Sequence, residues 1–119
     1  MDYNFQQRKQ ILAKAILEAG YSVGLNFMEA NKDVLMVDEQ TNRDSLDCEF
    51  ADQMSESLNG DSQADDIFID EKIFKKDEFA GSYPFGNHWN VLERYFDEEE
   101  VESIFMRGWH QFLYETYGI

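Results

Sequence analysis

Apolar positions recur with a helical period in some stretches of the chain and with a period of two in others. In residues 3–19, Phe5, Leu12, Ile16 and Ala19 fall near one helix face, with Ile11 and Ala15 beside them. Arg8, Lys9 and Lys14 decorate that helix, and Gly20 reads as its C-terminal stop. From 21 to 27 the period changes. Tyr21, Val23, Leu25 and Phe27 alternate with Ser22, Gly24 and Asn26, the pattern of a strand with one buried face. Residues 29–32 then form a turn candidate, and the apolar run 34–37 reads as a second strand, paired with the first in a hairpin.

Helical spacing returns from Asn42 or Asp44, either of which suits a cap, to about Leu58. Leu46, Phe50, Met54 and Leu58 repeat every four residues, while Glu49, Asp52 and Glu56 fall opposite them. Residues 59–66 are polar and acidic, a loop. Residues 66–74 read as a third strand, with Ile67, Ile69 and Ile73 on one side and Phe68 and Phe74 on the other. Residues 75–87 read as an ordered loop that buries Phe79, Tyr83 and Phe85. A short helix is expected over 88–96 and a long one over 98–117. Asp97 and Glu100 form a capping box for the long helix. Val101, Ile104, Phe105, Trp109, Phe112 and Leu113 give it a wide apolar face. Gly108 inside it costs about 1 kcal/mol relative to alanine, and suits a close helix crossing. The expected fold is therefore α+β: a small antiparallel sheet of about three strands packed by three to four helices, in a single domain over 1–119.

Composition agrees with a folded chain. Hydrophobic residues make up 43 % and aromatics 15 % of the 119 residues, far from the aromatic-poor make-up of a disordered acidic tail. Charge changes the picture more. The formal net charge is −15. It is uneven: residues 1–20 carry +1, whereas residues 29–70 hold 13 acids against two bases. Nucleic acid and anionic membranes are bound through Lys/Arg footprints, so direct binding to either is not expected. With no apolar run of membrane-spanning length, no signal-peptide pattern and one cysteine, Cys48, the expected setting is a reducing cytoplasm.

No catalytic or metal constellation emerges, and no cofactor is expected. His88, His110 and Cys48 lie far apart and in no zinc spacing. Asp61, Gln63 and Asp65 begin like a calcium loop, but Asp66 stands where that loop needs glycine and Lys72 where it needs glutamate. Cys48 with His88 or His110 is a Cys–His pair on paper only, since a lone cysteine commonly serves as a small hydrophobe. His110, between Trp109 and Phe112–Leu113, reads as a packed histidine.

The acids remain. Asp97, Glu98, Glu99, Glu100 and Glu102 crowd one helix start, where the macrodipole favours one or two of them. Glu49, Asp52 and Glu56 stand three and four residues apart, a spacing at which like charges destabilise a helix. Asp61, Asp65, Asp66 and Asp70 extend the field. Carboxylates fixed on helices can occupy the basic groove of a nucleic-acid-binding protein, associate quickly by electrostatic steering and exclude its ligand. Aromatics in 79–89, together with Tyr114 and Tyr117, are the candidate apolar anchors, although for most of them a place in the core is the expectation. In size and charge the chain resembles the small acidic proteins with which phages and mobile elements counter restriction or CRISPR defences. That resemblance is one of composition, with no family motif. The expected function is therefore an acidic inhibitor that blocks a basic nucleic-acid-binding protein or nuclease, as a monomer or homodimer. The alternatives are an immunity or antitoxin protein covering a basic nuclease toxin, and an acidic adaptor whose charge serves solubility alone.

Overall fold

A computed structural model describes residues 3–38, 40–59, 67, 69, 70, 72–74 and 91–119. Among the described residues three helices are complete: α1, Phe5–Ala30; α2, Arg43–Asn59; and α3, Glu98–Tyr117. Each start has a local cause. Asn4 caps α1 reciprocally with Gln7: the Gln7 N–H donates to Asn4 Oδ1 at 2.8 Å, and the Asn4 N–H donates to Gln7 Oε1 at 3.0 Å. Asn42 caps α2, its Oδ1 accepting the Asp44 N–H at 2.8 Å. At α3, Glu100 Oε1 accepts the Asp97 N–H at 3.2 Å, and Gly118, in the left-handed conformation at φ 75°, ends the helix.

The expected α+β class is wrong: no strand occurs among the described residues. The segment 21–27 is the second half of α1, a single helix of 26 residues. Its buried positions (Leu12, Ile16, Ala19, Gly20, Val23, Gly24, Phe27 and Met28) continue one helical face through position 20 without a break. Of the supposed inward strand residues, only Val23 and Phe27 are buried; Leu25 is 41 % exposed. The stop expected at Gly20 moves to Asn31, whose side chain donates to the Phe27 carbonyl at 2.8 Å. With its first strand helical, the hairpin is lost. Residues 31–35 turn, and 36–38 run on without pairing.

The third strand fails as well among its described residues. Asp70 closes a turn, accepting the Ile73 and Phe74 N–H groups on its carbonyl at 3.0 and 3.1 Å and the Lys72 N–H on Oδ1 at 2.9 Å. Ile67, Ile69 and Phe74 are all buried, so the alternation assigned to them does not hold. Of the short helix expected over 88–96, residues 91–92 are helical and 93–95 turn, while 88–90 lie outside the described residues.

Gly20 and Gly108 are crossing residues. A Cβ on Gly20 would collide with the Phe105 carbonyl, and one on Gly108 with the Leu17 carbonyl. Only hydrogen at both positions lets α1 and α3 come backbone to backbone. The two helices run in the same direction: Lys9 lies over Phe96, Gly20 meets Phe105, and Tyr21 reaches Glu115. α2 runs opposite to α3. Its Asp47 meets Trp109 and His110, and Phe50, one turn on, stacks on Trp109 at 4.0 Å and lies 6.0 Å from Phe105. Phe27 of α1 sets its edge against both Phe50 and Trp109, at 5.6 and 5.9 Å. Phe50, Phe105 and Trp109 are fully buried, so this aromatic group ties the three helices together. Each such ring pair adds about 0.5–1.5 kcal/mol beyond area burial.

Candidate docking surface

α2 separates its acidic and apolar residues by angle. At 100° per residue, Glu49, Asp52 and Glu56 fall within an arc of about 60°, and the arc carrying Asp47 and Met54 lies about 180° away. The apolar side is taken up in the core by Leu46 and Phe50, with Met54 packed beside them. Glu49, Asp52 and Glu56 are all exposed. Between Glu49 and Glu56 the axis advances about 10.5 Å, one charge every 5 Å or so. A nucleic-acid strand in a duplex presents one per 3.4 Å or so, so the row has a comparable, somewhat lower, linear charge density.

The sequence did not single out Asp47, yet it fixes this face. Trp109 donates its indole N–H to Asp47 Oδ1 at 2.8 Å, and His110 Nε2 lies 2.9 Å from both Asp47 oxygens. One carboxylate thus clamps α2 to two consecutive residues of α3. It is the single acid on the apolar side of the helix, a signal legible in the spacing from Leu46 to Phe50. His110 is a partly buried histidine satisfied through Nε2, as its apolar neighbourhood implied. Cys48, by contrast, is exposed.

The other acids divide. Asp97, Glu98 and Glu99 are exposed at the start of α3, and Glu102 is half-buried. Because α2 runs opposite to α3, Glu56 and this acidic helix start point to the same end of the bundle. Two clusters about 40 residues apart in sequence thereby add their fields. Asp70 is half-buried and spends one carboxylate oxygen on its own turn. Asp61, Asp65 and Asp66, the aromatics of 79–89 and His88 lie outside the described residues. Tyr114 and Tyr117 are 70 % and 39 % exposed, although Tyr117 also sets its edge on Phe112 at 6.1 Å.

The three cations of α1 are engaged elsewhere. Arg8 and Lys9 sit over the rings of Phe74 and Phe96, at 5.7 and 5.4 Å. Lys14 faces Glu18 of the same helix at 3.9 Å, an exposed pair of small worth. At the far end of α3, the Tyr21 hydroxyl donates to Glu115 Oε2 at 2.7 Å, and Gln111 donates to Oε1 at 3.2 Å. The bond from Tyr21, with Gln111 assisting, holds the Glu115 carboxyl below its usual range. The same bond, with some desolvation, raises the Tyr21 phenol.

Among the described residues no group of three or more His, Cys, Asp or Glu side chains is placed to hold a metal ion, and no helix is long and apolar enough to cross a membrane. Comparison with known proteins gives no match to this chain, whether among family models, curated proteins or solved structures.

Proposed function

We propose that the chain is an acidic interaction protein that docks through the α2 face onto a basic, nucleic-acid-binding protein and competes there with nucleic acid. The observation that carries this is the row Glu49–Asp52–Glu56: exposed along one side of a helix whose opposite side is locked by Phe50 and by the Asp47 clamp. A rigid row of carboxylates loses little freedom on docking, and it attracts a basic groove before contact. The acidic start of α3 at the same end of the bundle adds to that field.

The test is affinity capture from lysate, with the native chain and with Glu49→Lys/Asp52→Lys/Glu56→Lys as parallel baits. The expected outcome is a nucleic-acid-binding protein retained by the native bait, released by salt, lost with the variant, and displaced from its DNA or RNA by added native chain in a gel-shift assay. Identical recovery by both baits, or capture without displacement of nucleic acid, overturns the proposal.

A further inference from the structure

The second face of the bundle has the charge pattern of an interface between two copies of this chain. α1 and α3 touch most closely at Gly20 and Gly108. Nearer their N-termini they leave an open groove of about 560 Å³ floored by Ala13, Leu17 and Ile104. Lys14 lines it from α1, and Glu100 and Arg107 line it from α3. Along α3, Glu100, Ser103 and Arg107 are exposed, and their spacing of three and four puts them on one face. This is an acid, a small residue and a base in that order.

A closed two-fold interface requires a patch that complements itself. Lay a second α3 antiparallel on the first, with the axis passing between Ser103 and Ile104. Glu100 of each copy then stands opposite Arg107 of the other, and the small Ser103 side chains meet at the centre. Among the described residues the Arg107 guanidinium has no ion pair or hydrogen bond. Glu100 commits Oε1 to the Asp97 N–H, which leaves its second oxygen open. Tyr114, 70 % exposed, lies on the same face seven residues beyond Arg107 and supplies apolar area at the margin.

Two chains of formal charge −15 repel each other, so self-association needs a local patch of opposite signs, and this face has one. We infer that the chain forms a homodimer through antiparallel α3 helices, paired reciprocally by Glu100 and Arg107. The patch of Glu100, Ser103, Arg107 and Tyr114 is small beside the roughly 20–30 residues per partner of a stable complex. The expected dissociation constant is therefore weak, on the order of 10–100 µM. The dimer does not depend on the docking role of α2, whose acidic row it leaves uncovered.

Sedimentation equilibrium of the full chain tests this. The native chain dimerises in that range; a monomer up to about 500 µM overturns the inference. Arg107→Glu alone and Glu100→Arg alone each turn two attractive contacts into two repulsive ones, and each weakens association at least about tenfold. Mixed in equal amounts, the two variants are complementary at both contacts and form a heterodimer near native affinity. A mixture that stays monomeric overturns the pairing, as does either variant dimerising as well as the native chain. Because Glu100 also caps α3, thermal melting checks that its variant folds. If it does not, Ser103→Trp, exposed and at the axis, serves instead: it abolishes dimerisation with an unchanged melting temperature, and an undiminished dimer refutes the inference.

Discussion

Alanine at Gly20 or Gly108 sets two effects of opposite sign against each other. By helix propensity, glycine to alanine in a helix interior stabilises by about 1 kcal/mol. By packing, the new Cβ lands on a backbone carbonyl of the facing helix, that of Phe105 or of Leu17. A carbon meets a carbonyl oxygen at no less than about 3.3 Å, so the helices must separate by more than 1 Å or so at the crossing. A gap of 0.5–1 Å or so already forfeits a quarter to a half of the contact energy along it. Leu12, Ile16, Phe105 and Leu113, all fully buried, would feel it. Overpacking of this kind costs about 1–3 kcal/mol, and rigid backbone as the obstacle puts these sites at the upper end. The expected net loss is about 2 kcal/mol for each substitution. Gly24→Ala provides the internal comparison. Its Cβ would lie 2.5 Å from Cε3 of Trp109, a side chain that can tilt, so its net effect is smaller, about 1 kcal/mol or less. Urea denaturation followed by tryptophan fluorescence and far-ultraviolet circular dichroism gives the order. A Gly108→Ala chain with a higher midpoint and an unchanged slope means that propensity wins and that the helices do not cross backbone to backbone.

Neutralising the row with Glu49→Gln, Asp52→Asn and Glu56→Gln relieves two like-charge helix neighbours. It should stabilise the chain by about 0.4–1 kcal/mol at low salt, with the gain fading as salt screens it in urea titrations; a loss of stability would mean that these acids hold the fold. Asp47→Ala leaves the Trp109 indole N–H and His110 Nε2 without their partner. A loss of about 1–2 kcal/mol is expected in the same assay, with Asp47→Asn milder because its amide oxygen still accepts from the indole. The Tyr21–Glu115 bond has a pH window fixed by its signs. Glu115 is lowered on folding, so its contribution is present above the ordinary carboxyl value of 4.5 and is lost as pH falls through the folded value. Tyr21 is raised, so its contribution is present below 10.0 and is lost as pH rises through the folded value. The stability gap between native and Tyr21→Phe chains should therefore plateau between the two and close on either side; a gap independent of pH contradicts the bond. Cys48, exposed on α2, should react promptly with a thiol reagent in the native protein; protection until denaturant is added would mean that α2 faces the other way.

The helices 43–59 and 98–117 were legible because their apolar residues repeat every three or four positions over more than three turns, with a cap at each start. Asn42 and the Asp97–Glu100 box mark those starts in the sequence. α1 was half legible. In its C-terminal half, Tyr21, Val23, Leu25 and Phe27 happen to alternate with small or polar residues. Seven residues satisfy a period of two about as well as 3.6. The longer series Leu12, Ile16, Ala19, Val23 and Phe27 runs straight through and decides for helix. Glycine carried the misreading: Gly20 looks like a terminator, yet its use is a contact with a residue 85 positions away, which no local pattern reports. The outward acids of α2 could be read from the same periodicity that located the helix. The clamp by Asp47 could not, because its partners lie 62 and 63 residues on.

The bundle makes sense of a charge pattern that is costly in isolation. α2 has five acids and one base, and a free helix with carboxylates at 49, 52 and 56 is weakened at each step. The remedy is tertiary: Phe50 on Trp109, and Asp47 on both Trp109 and His110, hold α2 from its other side. The α2–α3 contact thus holds the row straight against its own repulsion. If charge served solubility alone, acids scattered over the three helices would suffice and would avoid the penalty of like neighbours. A row kept on the side opposite its anchor, and pointing with the start of α3 toward one end, fits docking better than dispersal. Cutting the anchor while leaving the acids separates the two ideas. Asp47→Ala should weaken capture of a basic partner even though it removes only a carboxylate turned away from that partner. Binding unaffected by Asp47→Ala, in a chain shown by urea to be destabilised at α2, would mean that net charge and not the fixed row is recognised.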